Sequence, residues 1–104
     1  FVLVPVYAAL TAWAEEVVFR GIFLEAARAG FKNPLHANLL QAAAFAVVHF
    51  SLGFPNGVAG YLMTFCYGFV LGCIRMNTQG LAAPWTSHFV ADLGIMYFLC
   101  WRFL

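Results

Sequence analysis

Hydrophobic residues dominate this chain in four long stretches, each closed by a short polar or glycine-rich turn. The pattern predicts four helices, from about Phe1 to Ala29, Pro34 or Leu35 to Phe50, Gly57 to Met76 and Leu81 to Phe103. Gly30 stands where a helix would cap in the left-handed conformation. Pro34 suits a first helical turn, and Pro84 falls in the first turn of the last helix. GFPNG and NTQG read as turns, which places Asn56, Asn77 and Gln79 outside the helices. Each helix is long enough, or nearly so, to cross a hydrocarbon core of ~30 Å, the second being the shortest.

Composition turns this pattern into a statement about solvent. The chain is 64% hydrophobic and 9% charged, against about 25% charged in a soluble domain. Such a chain has too little polar surface to face water. The expected architecture is an all-α, polytopic transmembrane helix bundle of about four helices, since spanning segments must satisfy their backbone polar groups internally. The hydrophobic pattern recurs to the C-terminus, which a cleaved signal peptide would not do. With no Met at position 1, residues 1–104 read as the core excerpt of a longer integral, multi-pass membrane protein. Net charge is +1 and no basic patch occurs, so nucleic acid is not an expected partner, whereas the lipid bilayer is. Cys66 and Cys73 are separated by roughly 10 Å along one helix, too far for a disulfide. With Cys100 they read as small packing residues.

Arg28, Lys32 and Arg75 flank the first and third loops, so those loops are expected on the cytoplasmic side, with Arg102 dissenting. At ~1.5 Å per residue from that side, Glu15 and His49 lie ~20 Å deep, Asp92 ~16 Å, Arg20 ~12 Å and His88 ~10 Å. Ionisable residues from three helices therefore share one layer. Four of the chain's nine charged residues (Glu15, Glu16, Arg20 and Asp92) belong to it. Charge in a bilayer costs several kcal/mol per residue and persists mostly where it lines a cavity and does chemistry.

Spacing sharpens the picture, because residues four apart share a helix face. Glu16 and Arg20 can pair, and such a pair can also serve simply to hold helices together. Glu15 points about 100° away and is left available. Phe45 sits one turn before His49 and can wall its ring; His88 and Asp92 can project into one cavity. His36, Glu25 and Arg28 read as interfacial. Gly68 and Gly72 in GFVLG form a small-xxx-small pair for close helix packing, and Trp85 and Trp101 read as interfacial anchors.

These residues carry a resemblance. EEVVFR (Glu15–Arg20) is similar to EExxxR, FAVVH (Phe45–His49) to FxxxH, and HFVAD (His88–Asp92) to HxxxN/D. In order and spacing they resemble the three signatures of the CPBP (CAAX protease and bacteriocin-processing, also ABI) intramembrane proteases, over about Ala9 to Trp101. The resemblance implies one protease core spanning residues 1–104, which hydrolyses a peptide bond in a membrane-associated peptide or prenylated C-terminus. It further implies that Glu15 and His49 activate the attacking water. His88 and Asp92 would occupy the oxyanion side, with Glu16 and Arg20 in support. Asp92 stands where the prenyl proteases carry Asn.

Elementary chemistry points the same way. A carboxylate and imidazoles in a dry layer suit proton transfer near neutral pH. Ser87 adjoins His88 but points elsewhere, and no cysteine lies near the layer, so activated water is expected rather than a covalent intermediate. No cofactor is expected, with zinc as the alternative, because Glu15, His49, His88 and Asp92 are acceptable zinc ligands although HExxH is absent. Other classes of reading are a transporter or proton relay, or a non-catalytic scaffold or bacteriocin-immunity protein.

Overall fold

The computed structural model of the protein describes residues 2–53 and 55–103. Phe1, where the first helix was expected to begin, and Phe54 of the GFPNG turn lie outside the described residues. Helix α1 (Val4–Glu16) runs into a π-helical segment (Val17–Phe23) and then α2 (Leu24–Gly30), so the first predicted helix is wound α–π–α. The others are α3 (Pro34–Leu52), α4 (Gly57–Thr78) and α5 (Ala82–Phe103), with no strand among the described residues.

Several boundaries differ from expectation for local reasons. Gly30 stays helical, and the chain leaves α2 at Phe31, which is extended at φ −109° and ψ 138°. A left-handed cap is therefore not used there. It is used at Gly53 (φ 80°), which extends α3 to Leu52. Asn77 and Thr78 belong to α4, whose last turn is closed by Gln79 at φ 59° rather than by Gly80. Asn33 starts α3 by accepting the Leu35 N–H through its side chain at 2.9 Å, with Pro34 at the first helical position.

The helices form a slab of 49 × 29 × 16 Å. In so thin a body each helix keeps an outward face, and those faces are apolar: Val58 is 74% exposed, Ile22 66%, Leu10 64% and Val90 60%. Buried instead are Ala8, Ala12, Ala42 and Ala46, together with Glu16, Arg20, Asn38, Gln41 and His88. Apolar groups outside and polar groups inside is the distribution expected where lipid is the solvent. Two helices, α3 and α4, are long and apolar enough to span a membrane by length and composition. α1 has 13 residues before the π-helical segment begins, and in α5 His88 and Asp92 interrupt the apolar run.

The tightest packing joins α3 to α4, and its cause is the glycine pair. A Cβ on Gly68 would come within 2.9 Å of the Phe45 ring, and one on Gly72 would overlap the Asn38 amide. Backbones approach this closely only where side chains are absent. Asn38 and Gln41 fill the seam. Asn38 Nδ2 donates to Phe69 O (3.2 Å), and Gln41 Nε2 donates to Gly68 O (2.9 Å) and to Asn38 Oδ1 (2.7 Å). On the other side α1 packs against α5, where Trp85 Nε1 donates to Ala9 O at 3.0 Å and its ring meets Trp13 edge-on. Trp85 thus takes part in helix packing, whereas Trp101 is 86% exposed. The three cysteines are unbridged.

Candidate active site

The end of α1, the π-helical segment, α3 and α5 converge on one polar cluster. The α1 end supplies Glu15 and Glu16, the π-helical segment Arg20, α3 His49, and α5 His88 and Asp92. Both nitrogens of the His88 ring are engaged. Nδ1 lies 2.7 Å from Glu16 Oε1, while Nε2 lies 3.3 Å from Glu15 Oε2 and 3.5 Å from Asp92 Oδ2. On the opposite side of Glu15, His49 Nε2 lies 3.6 Å from the same Oε2. His49 Nδ1 is 2.8 Å from the Phe45 carbonyl, which can only accept, so Nδ1 donates and Nε2 is the nitrogen turned toward Glu15.

Beneath this face sits a fully buried pair. Arg20 Nη1 lies 3.2 Å from Glu16 Oε1, and neither side chain is exposed. Arg20 Nη2 donates to Gly68 O at 3.4 Å, and its guanidinium carbon stands 4.2 Å from the centre of the Phe45 ring. Phe45 does more than wall His49. Its ring lies 4.3 Å from that of His49, 5.1 Å from Phe19 and 5.9 Å from His88, so one aromatic side chain spaces both histidines and the arginine. Burial separates the layers: His88 retains 3% of its side-chain exposure, Asp92 22%, His49 19% and Glu15 33%. The last three form an accessible edge, and Glu16, Arg20 and His88 its floor.

All six residues singled out from sequence are therefore brought together. The shortest contact to the His88 ring is Glu16 at Nδ1. Asp92 and Glu15 share the other nitrogen. Among neighbours that sequence reasoning passed over, Tyr67 packs its ring edge-on against His88 and donates its hydroxyl to Ser87 O at 3.0 Å. Asn38 and Gln41 support Gly68, and Arg75 donates to the Arg20 carbonyl at 3.2 Å. A signal for two of these was present: positions 38, 41, 45 and 49 fall on one stripe of α3 at helical spacing. Arg75 carried no such signal, because its partner is a main-chain atom 55 residues away. His36 stays outside the cluster, exposed near Phe31.

Buried polar atoms at the cluster without a hydrogen-bond partner include Glu15 Oε2, Glu16 Oε2 and Arg20 Nε. Such atoms are costly unless water or a ligand meets them. Among the described residues, no group of three or more His, Cys, Asp or Glu side chains is disposed to hold a metal ion. What the cluster offers is a buried carboxylate oxygen near two imidazole nitrogens, with a second carboxylate beside one of them.

The model of a family described as type II CAAX prenyl endopeptidase, Rce1-like, matches residues 1–94. No curated protein and no solved structure matches the chain.

Proposed function

This chain belongs to the Rce1-like family of type II CAAX prenyl endopeptidases, and we propose that it is a multi-pass intramembrane protease. Its substrate on this reading is a prenylated C-terminal CAAX peptide, cleaved by activated water. Membership makes it a membrane protein of the protease class; the substrate, the mechanism and the residue roles are our inference.

One observation supports the mechanism above the rest: Glu15 Oε2 lies between His49 Nε2 (3.6 Å) and His88 Nε2 (3.3 Å). A water held by Glu15 and His49 gives up a proton to the carboxylate as its oxygen attacks the scissile carbonyl. Glu15 then returns that proton to the leaving amine, so one group serves as base and then acid. His49 assists from Nε2, since its Nδ1 proton is committed to the Phe45 carbonyl. Negative charge developing on the carbonyl oxygen needs a donor already in place. His88 fills that role from Nε2. With Nδ1–H held by Glu16, a second proton makes the ring a cation, and Glu15, Glu16 and Asp92 stand around it as counter-charges. Arg20 and Glu16 act through His88, fixing the plane of its ring from below. Asp92 steadies the Nε2 edge.

Zinc is a weaker reading for this site. The donor types are acceptable, yet the described residues are not disposed as a ligand set. No step above requires a metal.

The test is cleavage by the full-length protein in lipid nanodiscs. Peptides ending in a prenylated or unprenylated Cys-aliphatic-aliphatic-X sequence are incubated with it, and products are identified by mass spectrometry. Release of the last three residues from the prenylated peptide alone supports the proposal. Intact peptides from folded protein would sink it.

A further inference from the structure

Where the first helix returns from π to α winding, one carbonyl is left over. The Leu24 N–H reaches back five residues to Phe19 O, and Leu24 opens the regular turns of α2. Bonding over four residues from there onward skips the Arg20 carbonyl. A main-chain acceptor inside a membrane protein must find another donor. Arg75, far along α4, supplies it: Nε donates to Arg20 O at 3.2 Å. Its Nη2 lies 3.5 Å from Glu25 Oε1 on α2, which Arg28 also approaches at 3.1 Å. The Arg75 side chain is 16% exposed, so it lies along the protein and does not extend toward solvent.

The residue whose carbonyl is clasped is the one whose side chain organises the cluster. Arg20 Nη1 meets Glu16 Oε1, and Glu16 Oε1 meets His88 Nδ1. Wide π turns are uncommon and concentrate at functional sites. This one persists only while its spare carbonyl has a partner. We infer that Arg75 is a positioning residue of the active site: it stabilises the π turn that aims Arg20 at Glu16 and so sets the His88 ring. The inference rests on the protease reading above and extends it to a side chain that never touches the reacting atoms. It also separates Arg75 from an ordinary interfacial cation. A lysine satisfies the membrane surface equally well, but it carries a methylene where the Arg75 Nε–H meets the Arg20 carbonyl.

The experiment combines amide hydrogen exchange with steady-state cleavage of the prenylated peptide, using the full-length protein in nanodiscs. Arg75→Met is expected to exchange about tenfold faster across Val17–Glu25, because the π turn opens locally. Its kcat falls about tenfold with KM within about twofold, the signature of misplaced groups with substrate binding intact. Arg75→Lys shows the same exchange change and about a fivefold kcat loss. Glu25→Gln, which leaves the Nε–carbonyl bond, stays within about twofold in both readouts because its ion pair is partly exposed. In a Glu16→Gln background, Arg75→Met costs no further kcat, since the route to His88 is already broken. Unchanged exchange in Arg75→Met, a lysine variant equal to wild type, or fully additive kcat losses would each overturn the inference. Should Arg75→Met fail to fold, the lysine and Glu25 variants carry the same comparison. A wild-type protein that cleaves nothing defeats the protease reading, while the exchange data still decide whether Arg75 holds the turn.

Discussion

Gly72→Ala gives a test that depends on packing alone. The added Cβ would stand 2.6 Å from Gln41 Nε2 and 2.7 Å from Asn38 Cγ, and closer still to Asn38 Oδ1. Neither amide can give way freely. Asn38 is committed to Phe69 O and Gln41 to Gly68 O and Asn38 Oδ1, and both are fully buried. Overpacking costs about 1–3 kcal/mol, and each displaced neutral hydrogen bond about 1 kcal/mol. Alanine returns about 1 kcal/mol in helix propensity. With two bonds disturbed, the net destabilisation is about 2–4 kcal/mol. For a chain of this size that lowers the melting midpoint by roughly 10 °C or more. Gly94→Ala is the matched control: nothing lies within 4 Å of its Cβ, so propensity alone acts and the midpoint holds or rises. The assay is thermal unfolding in one detergent by circular dichroism, both variants beside wild type. A Gly72→Ala protein melting with wild type would refute the close α3–α4 seam and the Asn38–Gln41 bridge with it.

Four further outcomes follow from the site. Glu15→Gln keeps the shape but removes the base, so turnover of the prenylated peptide should drop by about 100-fold or more; wild-type turnover in a folded variant would disprove that role. Glu16→Gln leaves the buried Arg20 charge without its partner, costing about 3–5 kcal/mol, and loosens His88. Both midpoint and kcat should therefore fall, and loss of neither would contradict the arrangement. Asp92→Asn should keep substantial activity because an amide can donate to the oxyanion, whereas Asp92→Ala should be severely impaired; the reverse order in a peptide-cleavage assay would reject the assignment. Purified protein should remain fully active after chelation, with metal content measured by mass spectrometry; stoichiometric zinc whose removal abolishes cleavage and whose return restores it would reverse the preference for activated water.

Much of this molecule is written in one-dimensional spacing. Apolar runs between glycine-rich turns are local signals, and they determined a helical protein suited to lipid. A charge in such a run is expensive wherever the helix packs, so Glu15, Glu16, Arg20, His49, His88 and Asp92 identified themselves before any contact was known. Four-residue intervals determined which of them share a face. Tertiary structure decided what spacing cannot carry. Whether Glu16 merely neutralises Arg20 or also holds His88 depends on how α1 meets α5, and the 2.7 Å contact spans 72 residues of sequence. The π winding at Val17–Phe23 has no periodic signature, because it depends on a donor from α4 reaching a carbonyl that the winding itself exposes. Asn38 and Gln41 resemble stray polar residues until the glycines of α4 bring a backbone carbonyl against them. Composition and period are properties of a segment, whereas a hydrogen bond between segments depends on their approach, which only the packed bundle sets.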